Sequence, residues 1–112
     1  MTEQSTETEV LDLLTRMTAD SLDASSLDAQ SLMLVRIAAL VAVDAPPASY
    51  LLNLEAAGKV GVDEEQVRGV LTAIAPIVGT ARVASAAGKM VRALGFAIEL
   101  GELEEEGQSR QE

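Results

Sequence analysis

Residues 32–43 read LMLVRIAALVAV and are apolar at every position except Arg36. A run of this length forms a helix of about 18 Å, which is too short to cross the hydrocarbon core of a bilayer. The apolar surface instead predicts a helix buried on every side, and the segment DAPP at 44–47 predicts where it ends. Since a chain of 112 residues can hardly cover such a helix alone, we expect subunits to share its burial.

The composition favours an all-α fold in one domain. Hydrophobic residues make up 48% of the chain but aromatic residues only 2%, so Ala, Val, Leu and Ile must form most of the core. Such small side chains allow helices to approach closely. Alanine-rich packing also buries little apolar area per residue, which again favours a homo-oligomer as the source of stability.

The net charge of −10 is concentrated at the two ends of the chain. Residues 1–28 contain seven acidic residues and one basic residue, residues 29–95 contain five and six, and residues 96–112 contain six and one. Nucleic acids and anionic membranes need a concentrated basic surface, so we expect neither as a partner. The acidic ends are typical of solvated termini, and a specific basic partner is the alternative.

Missing residue types exclude several kinds of chemistry. The chain has no cysteine and no histidine, so it offers no thiolate nucleophile, no disulfide and no imidazole base. Thiolate and imidazole metal sites are excluded with them, and we expect no metal and no cofactor. The first residues, MTEQSTETEV, show neither the basic nor the apolar region of a secretory signal, which favours a cytoplasmic location.

Apolar periodicity and capping residues predict five or six helices and no strand. Ser25 and Asp28 resemble a capping arrangement for the second helix, Gln66 lies at the position reciprocal to a cap at Asp63, and residues 19–26 are predicted to be a linker. The predicted helices run near Glu7 to Thr18, over Leu27 to Val43, over Pro47 to Lys59, from Asp63 to Pro76, over Ala81 to Leu94 and within residues 96–107.

A basic stripe lies on the predicted fifth helix, which begins after a cap at Thr80. Its members recur at spacings of three and four residues and therefore share one face. The stripe is typical of a solvated surface; alternatively it pairs with another subunit through Glu64, Glu65 or the acidic ends of the chain. The stripe consists of Arg82, Ser85, Lys89 and Arg92.

Three segments carry a resemblance to a known family: LMLVRIAALVAV at 32–43, LEAAGKVGVDEEQVRGVL at 54–71 and PIVGTARVASAAGKMVRALG at 76–95. Their succession resembles the carboxymuconolactone decarboxylase family, which includes the alkylhydroperoxidase D-like proteins. The resemblance implies an alkylhydroperoxidase D-like helical domain that assembles into a trimer or hexamer. We divide the chain into an acidic N-terminal segment with one helix (1–26), the helical core (27–95) and a short helix with an acidic tail (96–112).

Redox-active members of that family carry Cys-x-x-Cys-x-x-x-His at the start of the helix that follows the apolar one. The motif falls on Pro46, Ser49 and Asn53 here, and the glutamate of the peroxidase members falls near Leu34. Hydroperoxide reduction by this route needs one thiolate to attack oxygen and a second thiol to resolve the sulfenic acid. We therefore expect no cysteine-based peroxidase activity.

The lactone-processing members do not use the thiols, so their class of chemistry stays open. Tyr50 and Asn53 are the candidate catalytic residues, and Arg36 and Ser49 are the candidates for substrate binding. The structural alternatives are that the Tyr50 hydroxyl anchors its helix and that Asn53 is a capping or interface amide. Arg36 must pair with an acid, reach water or bind a ligand carboxylate, because an unpaired buried charge is costly.

Two functions remain possible from the sequence. The first is a carboxymuconolactone decarboxylase-like protein that acts on or binds a small organic acid or lactone, as a lyase if it is active. The second is a non-catalytic oligomeric scaffold or accessory subunit that kept the fold after losing the site.

Overall fold

The computed structural model describes residues 3–94, with side chains from residue 8 onward. These residues form helices only, with no strand among them, which confirms the all-α prediction. The final helix predicted within residues 96–107, with Phe96, Ile98, Leu100 and Leu103 docking, lies outside the described residues. The helices are α1 (Glu3–Ala24), α2 (Ala29–Ala42), α3 (Pro47–Lys59), α4 (Glu64–Val78) and α5 (residues 80–94).

Helix α1 is longer than predicted at both ends, so the linker expected at residues 19–26 is wrong in most of its length. Only residues 25–28 separate α1 from α2. The hydroxyls of Thr15 and Thr18 donate to the carbonyls of Leu11 and Leu14, at 2.9 and 3.0 Å. These threonines therefore bond back along the helix and do not interrupt it.

Helix α2 is capped by Asp28 and not by Ser25. The Asp28 carboxylate accepts from the backbone N–H of Ser31 at 2.8 Å and from the Ser31 hydroxyl at 2.9 Å. These two hydrogen bonds hold the pKa of Asp28 below its usual range. The Ser25 hydroxyl oxygen instead accepts from the backbone N–H of Leu27, within the turn that precedes the helix. Of the two residues predicted to form one cap, only Asp28 caps α2.

One face of α2 is buried and the opposite face is not. Ile37 and Val41 have no exposed surface, whereas Val35 is 56% and Val43 71% exposed. The single chain therefore does not bury α2 on every side, and the remaining cover is the part that we expected other subunits to supply. The most extensive contacts between the helices α1 to α4 are those of α2 with α3 and α4, and the face of α2 that carries Val35 lies outside them.

Helix α3 has the predicted bounds, with Pro47 as its first residue. Helix α4 begins with the predicted capping box: Asp63 accepts from the Gln66 N–H at 2.8 Å, and the Gln66 side chain accepts from the Asp63 N–H at 3.0 Å. Pro76 does not end this helix, because a proline in the last turn removes only one helical hydrogen bond.

Gly79 separates α4 from α5 and lies at the N-cap position of α5 that we predicted for Thr80. Its N–H donates to the Ala75 carbonyl at 3.0 Å, and its own carbonyl accepts from the Val83 N–H at 3.2 Å. One residue thus ends one helix and begins the next. Its φ of +91° lies in the left-handed region, which glycine adopts without a steric penalty.

The core is centred on the Tyr50 ring, which is fully buried with Ile37 and Val41. The apolar pattern of α3 predicts burial of four side chains, Leu51, Leu52, Leu54 and Ala57. Ala57 is buried, Leu51 and Leu54 are half-buried, and Leu52 is 67% exposed. No helix within residues 3–94 is long and apolar enough to cross a membrane. The remaining buried side chains are Leu32, Met33, Ala45, Val62, Ala86, Met90 and Ala93.

Candidate functional site

A groove of about 500 Å³ lies between α1 on one side and α2 and α3 on the other. We call it the α1 groove. Its walls are mostly apolar, and the only charged side chain among its described lining residues is Arg36. The lining consists of Leu14, Met17, Thr18 and Ser21 from α1, Met33 and Arg36 from α2, and Leu52, Asn53 and Ala56 from α3.

Arg36 is half-buried and lines this groove. Its Nη2 donates to the Thr18 carbonyl oxygen at 3.3 Å, which is long for a hydrogen bond. No acidic side chain of residues 8–94 forms an ion pair with it, so pairing with an acid is wrong for the described chain. A guanidinium has five N–H donors, and one weak bond leaves most of them for water or a ligand.

Asn53 lies in the same groove, one helix away from Arg36. Its Nδ2 donates to the Ser49 carbonyl, one turn earlier in α3, at 2.9 Å. This bond fixes the orientation of the half-buried amide and uses only one of its hydrogens. Arg36 and Asn53 are therefore the two sequence candidates that the structure brings together.

Ser49 and Tyr50 do not line the α1 groove. Tyr50 is buried in the core, and its hydroxyl has no hydrogen-bond partner among the described residues. The expected anchor was a backbone group or a water molecule, and no described backbone group is a partner of this hydroxyl. Burial raises the pKa of the Tyr50 phenol, and the negative charge of Asp44 raises it further.

The positions that correspond to the family motif lie where the resemblance places them, at the beginning of α3. Pro46 is the N-cap of this helix, Ser49 lies in its first turn and Asn53 one turn further. Leu34 is half-buried on the neighbouring helix α2. Within residues 8–94, no three acidic, cysteine or histidine side chains cluster closely enough to hold a metal ion.

Three of the four residues of the basic stripe on α5 contact the end of α2, an arrangement that the sequence did not predict. Lys89 Nζ lies 2.8 Å from Asp44 Oδ1, the Ser85 hydroxyl donates to the same oxygen at 3.0 Å, and Arg82 donates to the Ala42 carbonyl. Lys89 first and Ser85 second hold the pKa of the Asp44 carboxyl below its usual range. Arg82 is exposed, as expected of a solvated face, but all three residues also contact their own chain, which neither expectation included.

One sequence signal could have found this contact. The C-terminal end of a helix carries partial negative charge and free carbonyl groups, both of which attract cations. Asp44 adds a full negative charge two positions after the last residue of α2, so the end of this helix attracts cationic side chains.

A second groove, of about 370 Å³, lies between α3, α4 and α5. Its described lining is apolar apart from Asp63, Glu64 and Arg68 at its border. It contains none of the residues singled out by the family motif. The α1 groove is therefore the better candidate for a binding site.

The all-helical fold, the apolar helix α2 and the polar positions at the start of α3 together define a helical domain with a groove between α1, α2 and α3. The chain belongs to the carboxymuconolactone decarboxylase family, whose model matches residues 8–92. The match includes most of α1, which the three resembling segments did not cover. No curated protein and no solved structure matches this chain.

Proposed function

We propose that the protein binds a small organic acid or lactone in the α1 groove. The observation that carries this proposal is the position of Arg36 and Asn53 in one groove with apolar walls. A guanidinium binds a carboxylate through two parallel charge-assisted hydrogen bonds. Leu14, Met17 and Leu52 offer apolar surface to the rest of such a molecule.

The groove supports binding better than catalysis. Decarboxylation or lactone isomerisation needs a proton acceptor near the reacting carbon. The described lining contains no carboxylate and no phenol, and Tyr50 lies in the core. A lyase reaction would thus need a base from another subunit or from outside residues 8–94.

We also propose that the protein is a homo-oligomer, a trimer or a hexamer as the family resemblance implies. Several large apolar side chains are exposed in the single chain, among them Val35 at 56%, Val43 at 71% and Ile77 at 87%. Their burial between subunits would complete the cover that α2 lacks. The same exposed surface supports the second candidate function, a non-catalytic oligomeric scaffold.

Calorimetric titration with sodium benzoate, sodium levulinate and γ-valerolactone tests the binding proposal. We expect at least one carboxylate to bind the wild type, with affinity lost in Arg36→Met and largely kept in Arg92→Met. Arg92 is a matched control because it is exposed on α5 and lines neither groove. If all three probes fail to bind, or bind both variants equally, the proposal is wrong.

Native mass spectrometry of the untagged protein tests the assembly proposal and separates the two functions. A trimer or hexamer that carries a reproducible small molecule supports the binder. A stable oligomer without any adduct, together with negative titrations, favours the scaffold. A monomer would contradict the proposed assembly.

A further inference from the structure

Helix α1 packs only loosely against the rest of the described chain. Every side chain from residue 8 to residue 24 is exposed, including the apolar ones that face the α1 groove. Leu14 is 52% and Met17 56% exposed, and Leu52 on the opposite wall is 67% exposed. The two walls of the groove therefore face each other without being in close packing.

The apolar side chains of α1 form a stripe on one side of the helix. Val10, Leu13, Leu14 and Met17 recur at spacings of three and four residues. Asp12 and Asp23 lie on the other side of the helix, and Asp20 lies beside the stripe, seven positions after Leu13. The free energy falls when such a stripe closes onto another apolar surface. Two of its members, Leu14 and Met17, line the α1 groove and have Leu52 and Met33 on the opposite wall.

The charge of Arg36 explains why the groove stays open. Closing α1 onto α3 would take the guanidinium further out of water, and its one described acceptor is the Thr18 carbonyl at 3.3 Å. Burying a charge without a counter-charge is unfavourable. A bound carboxylate would supply that counter-charge, so the apolar walls could then come together.

Residues 25–28 provide the hinge for such a movement. They are the non-helical connection between α1 and α2, and the Asp28 cap fixes the α2 side of it. Rotation about these few residues would move α1 as a rigid body, because α1 is a continuous helix up to Ala24.

We propose that α1 is a lid that closes over the α1 groove when a carboxylate binds to Arg36. This inference rests on the proposed function for the chemistry of the ligand. It adds that binding and the position of α1 are coupled, and that Arg36 controls both. Replacing Arg36 by an apolar side chain should therefore close the lid without any ligand.

The distance between spin labels on α1 and α3 tests the lid. The chain has no cysteine, so Thr15→Cys and Glu55→Cys, both at exposed positions, provide the only two labels in each subunit. An excess of unlabelled protein removes distances between subunits. We expect the distance to shorten in the wild-type background on addition of sodium benzoate but not of neutral benzamide.

Three variants in the same labelled background make the test decisive. Arg36→Met should show the short distance without benzoate and should no longer respond to it. Arg36→Lys keeps the charge, and Arg92→Met removes a charge elsewhere; both should show the long distance without benzoate. The folding of each variant is checked by its helical circular dichroism.

The possible failures of the lid and of the proposed function are distinguishable. Calorimetric binding of benzoate with an unchanged distance, or a ligand-free Arg36→Met with the wild-type distance, overturns the lid and leaves the binding function intact. A wild type that binds none of the carboxylates overturns the proposed function and carboxylate-driven closure together.

Discussion

Lys89 Nζ lies 2.8 Å from Asp44 Oδ1, and this ion pair joins α5 to the turn between α2 and α3. The two residues are 45 positions apart in the sequence, so the ion pair is a tertiary contact. Asp44 has a φ of +54°, in the left-handed region that Asn and Asp tolerate better than most residues. The turn that leads into α3 therefore depends on Asp44 twice, through its backbone conformation and through the ion pair of its side chain.

The Asp44 contact predicts a pH dependence with a definite sign. Lys89 and Ser85 hold the pKa of the folded Asp44 below its usual value of 3.8, so the folded state favours the carboxylate. The resulting stability is present in full above pH 3.8 and is lost as the pH falls from there through the lowered pKa. Asp44→Asn should remove this part of the dependence and keep the backbone conformation.

Urea unfolding between pH 2.5 and pH 7 checks the prediction in the wild type, Asp44→Asn and Lys89→Met. The difference in stability between the wild type and Asp44→Asn should be largest at neutral pH and should shrink towards the acidic end. Since the carboxylate is exposed, the difference should also shrink in high salt. A difference that is constant over the whole pH range would contradict the assignment.

Gly79 and Gly69 form a matched pair for substitution by alanine. A Cβ at either position would meet nothing within 4 Å, but Gly79 has a φ of +91° and Gly69 lies inside α4. Gly79→Ala should lower the free energy of unfolding by about 1–2 kcal/mol, because L-residues are strained in that conformation. Gly69→Ala should raise it by about 0.5–1 kcal/mol through helix propensity.

Chemical denaturation of the two glycine variants and the wild type measures both effects. Opposite signs are the expected outcome. Two variants of equal stability would show that the backbone at Gly79 relaxes away from the left-handed region.

The sequence predicted the helices well where local chemistry decides them. Pro46 and Pro47 ended α2 and began α3, and Asp63 with Gln66 marked the start of α4, because these residues act through their own backbone neighbours. The sequence did not predict burial and side-chain partners correctly where these depend on tertiary contacts. Leu52 fits a buried stripe yet faces the open α1 groove, and the partners of the α5 stripe depend on a turn 41 positions away in the chain.

The candidate site was predictable in part for the same reason. Arg36 stood out because a charge within an apolar helix needs an explanation, and Asn53 stood out through the family motif. Tyr50 was misleading, since a phenol can belong to a site or to a core, and only the packing around Ile37 and Val41 decides between them. The contribution of α1 to the groove could not be seen, because it depends on the angle at residues 25–28.

Tyr50→Phe should stabilise the protein. The Tyr50 hydroxyl is buried and has no hydrogen-bond partner among the described residues, so the folded state has an unsatisfied polar group. Its removal should raise the free energy of unfolding by about 1 kcal/mol, while the ring keeps its packing. Tyr50→Ala should lower it by about 3–5 kcal/mol through the cavity that it leaves.

Thermal and urea unfolding of the two Tyr50 variants separate the contribution of the ring to stability from that of the hydroxyl. A loss of stability in Tyr50→Phe would mean that the hydroxyl does have a partner, such as a bound water. That result would move Tyr50 back among the polar groups that matter for function.

Asp63→Ala should destabilise the start of α4 by about 1 kcal/mol, because it removes the acceptor for the Gln66 N–H. Gln66→Ala should have a smaller effect, since the Asp63 N–H that it leaves unpaired is exposed to water. The two bonds form one capping box, so the double variant should lose less than the two single losses added together. Urea unfolding of the four proteins measures this coupling, and strict additivity would contradict a reciprocal cap.

Arg36→Met should raise the stability of the ligand-free protein while it abolishes carboxylate binding. The half-buried guanidinium has one long hydrogen bond and no ion pair among the described residues, so an apolar side chain of similar length should pack better beside Met17 and Leu52. We expect a gain of about 1 kcal/mol, against less than about 0.5 kcal/mol for the exposed control Arg92→Met. Benzoate should stabilise the wild type by an amount that rises with the logarithm of its concentration above Kd, and it should leave Arg36→Met unchanged. Thermal unfolding with and without benzoate measures both effects. An Arg36→Met variant that is less stable than the wild type would show that the arginine serves the fold and not a ligand.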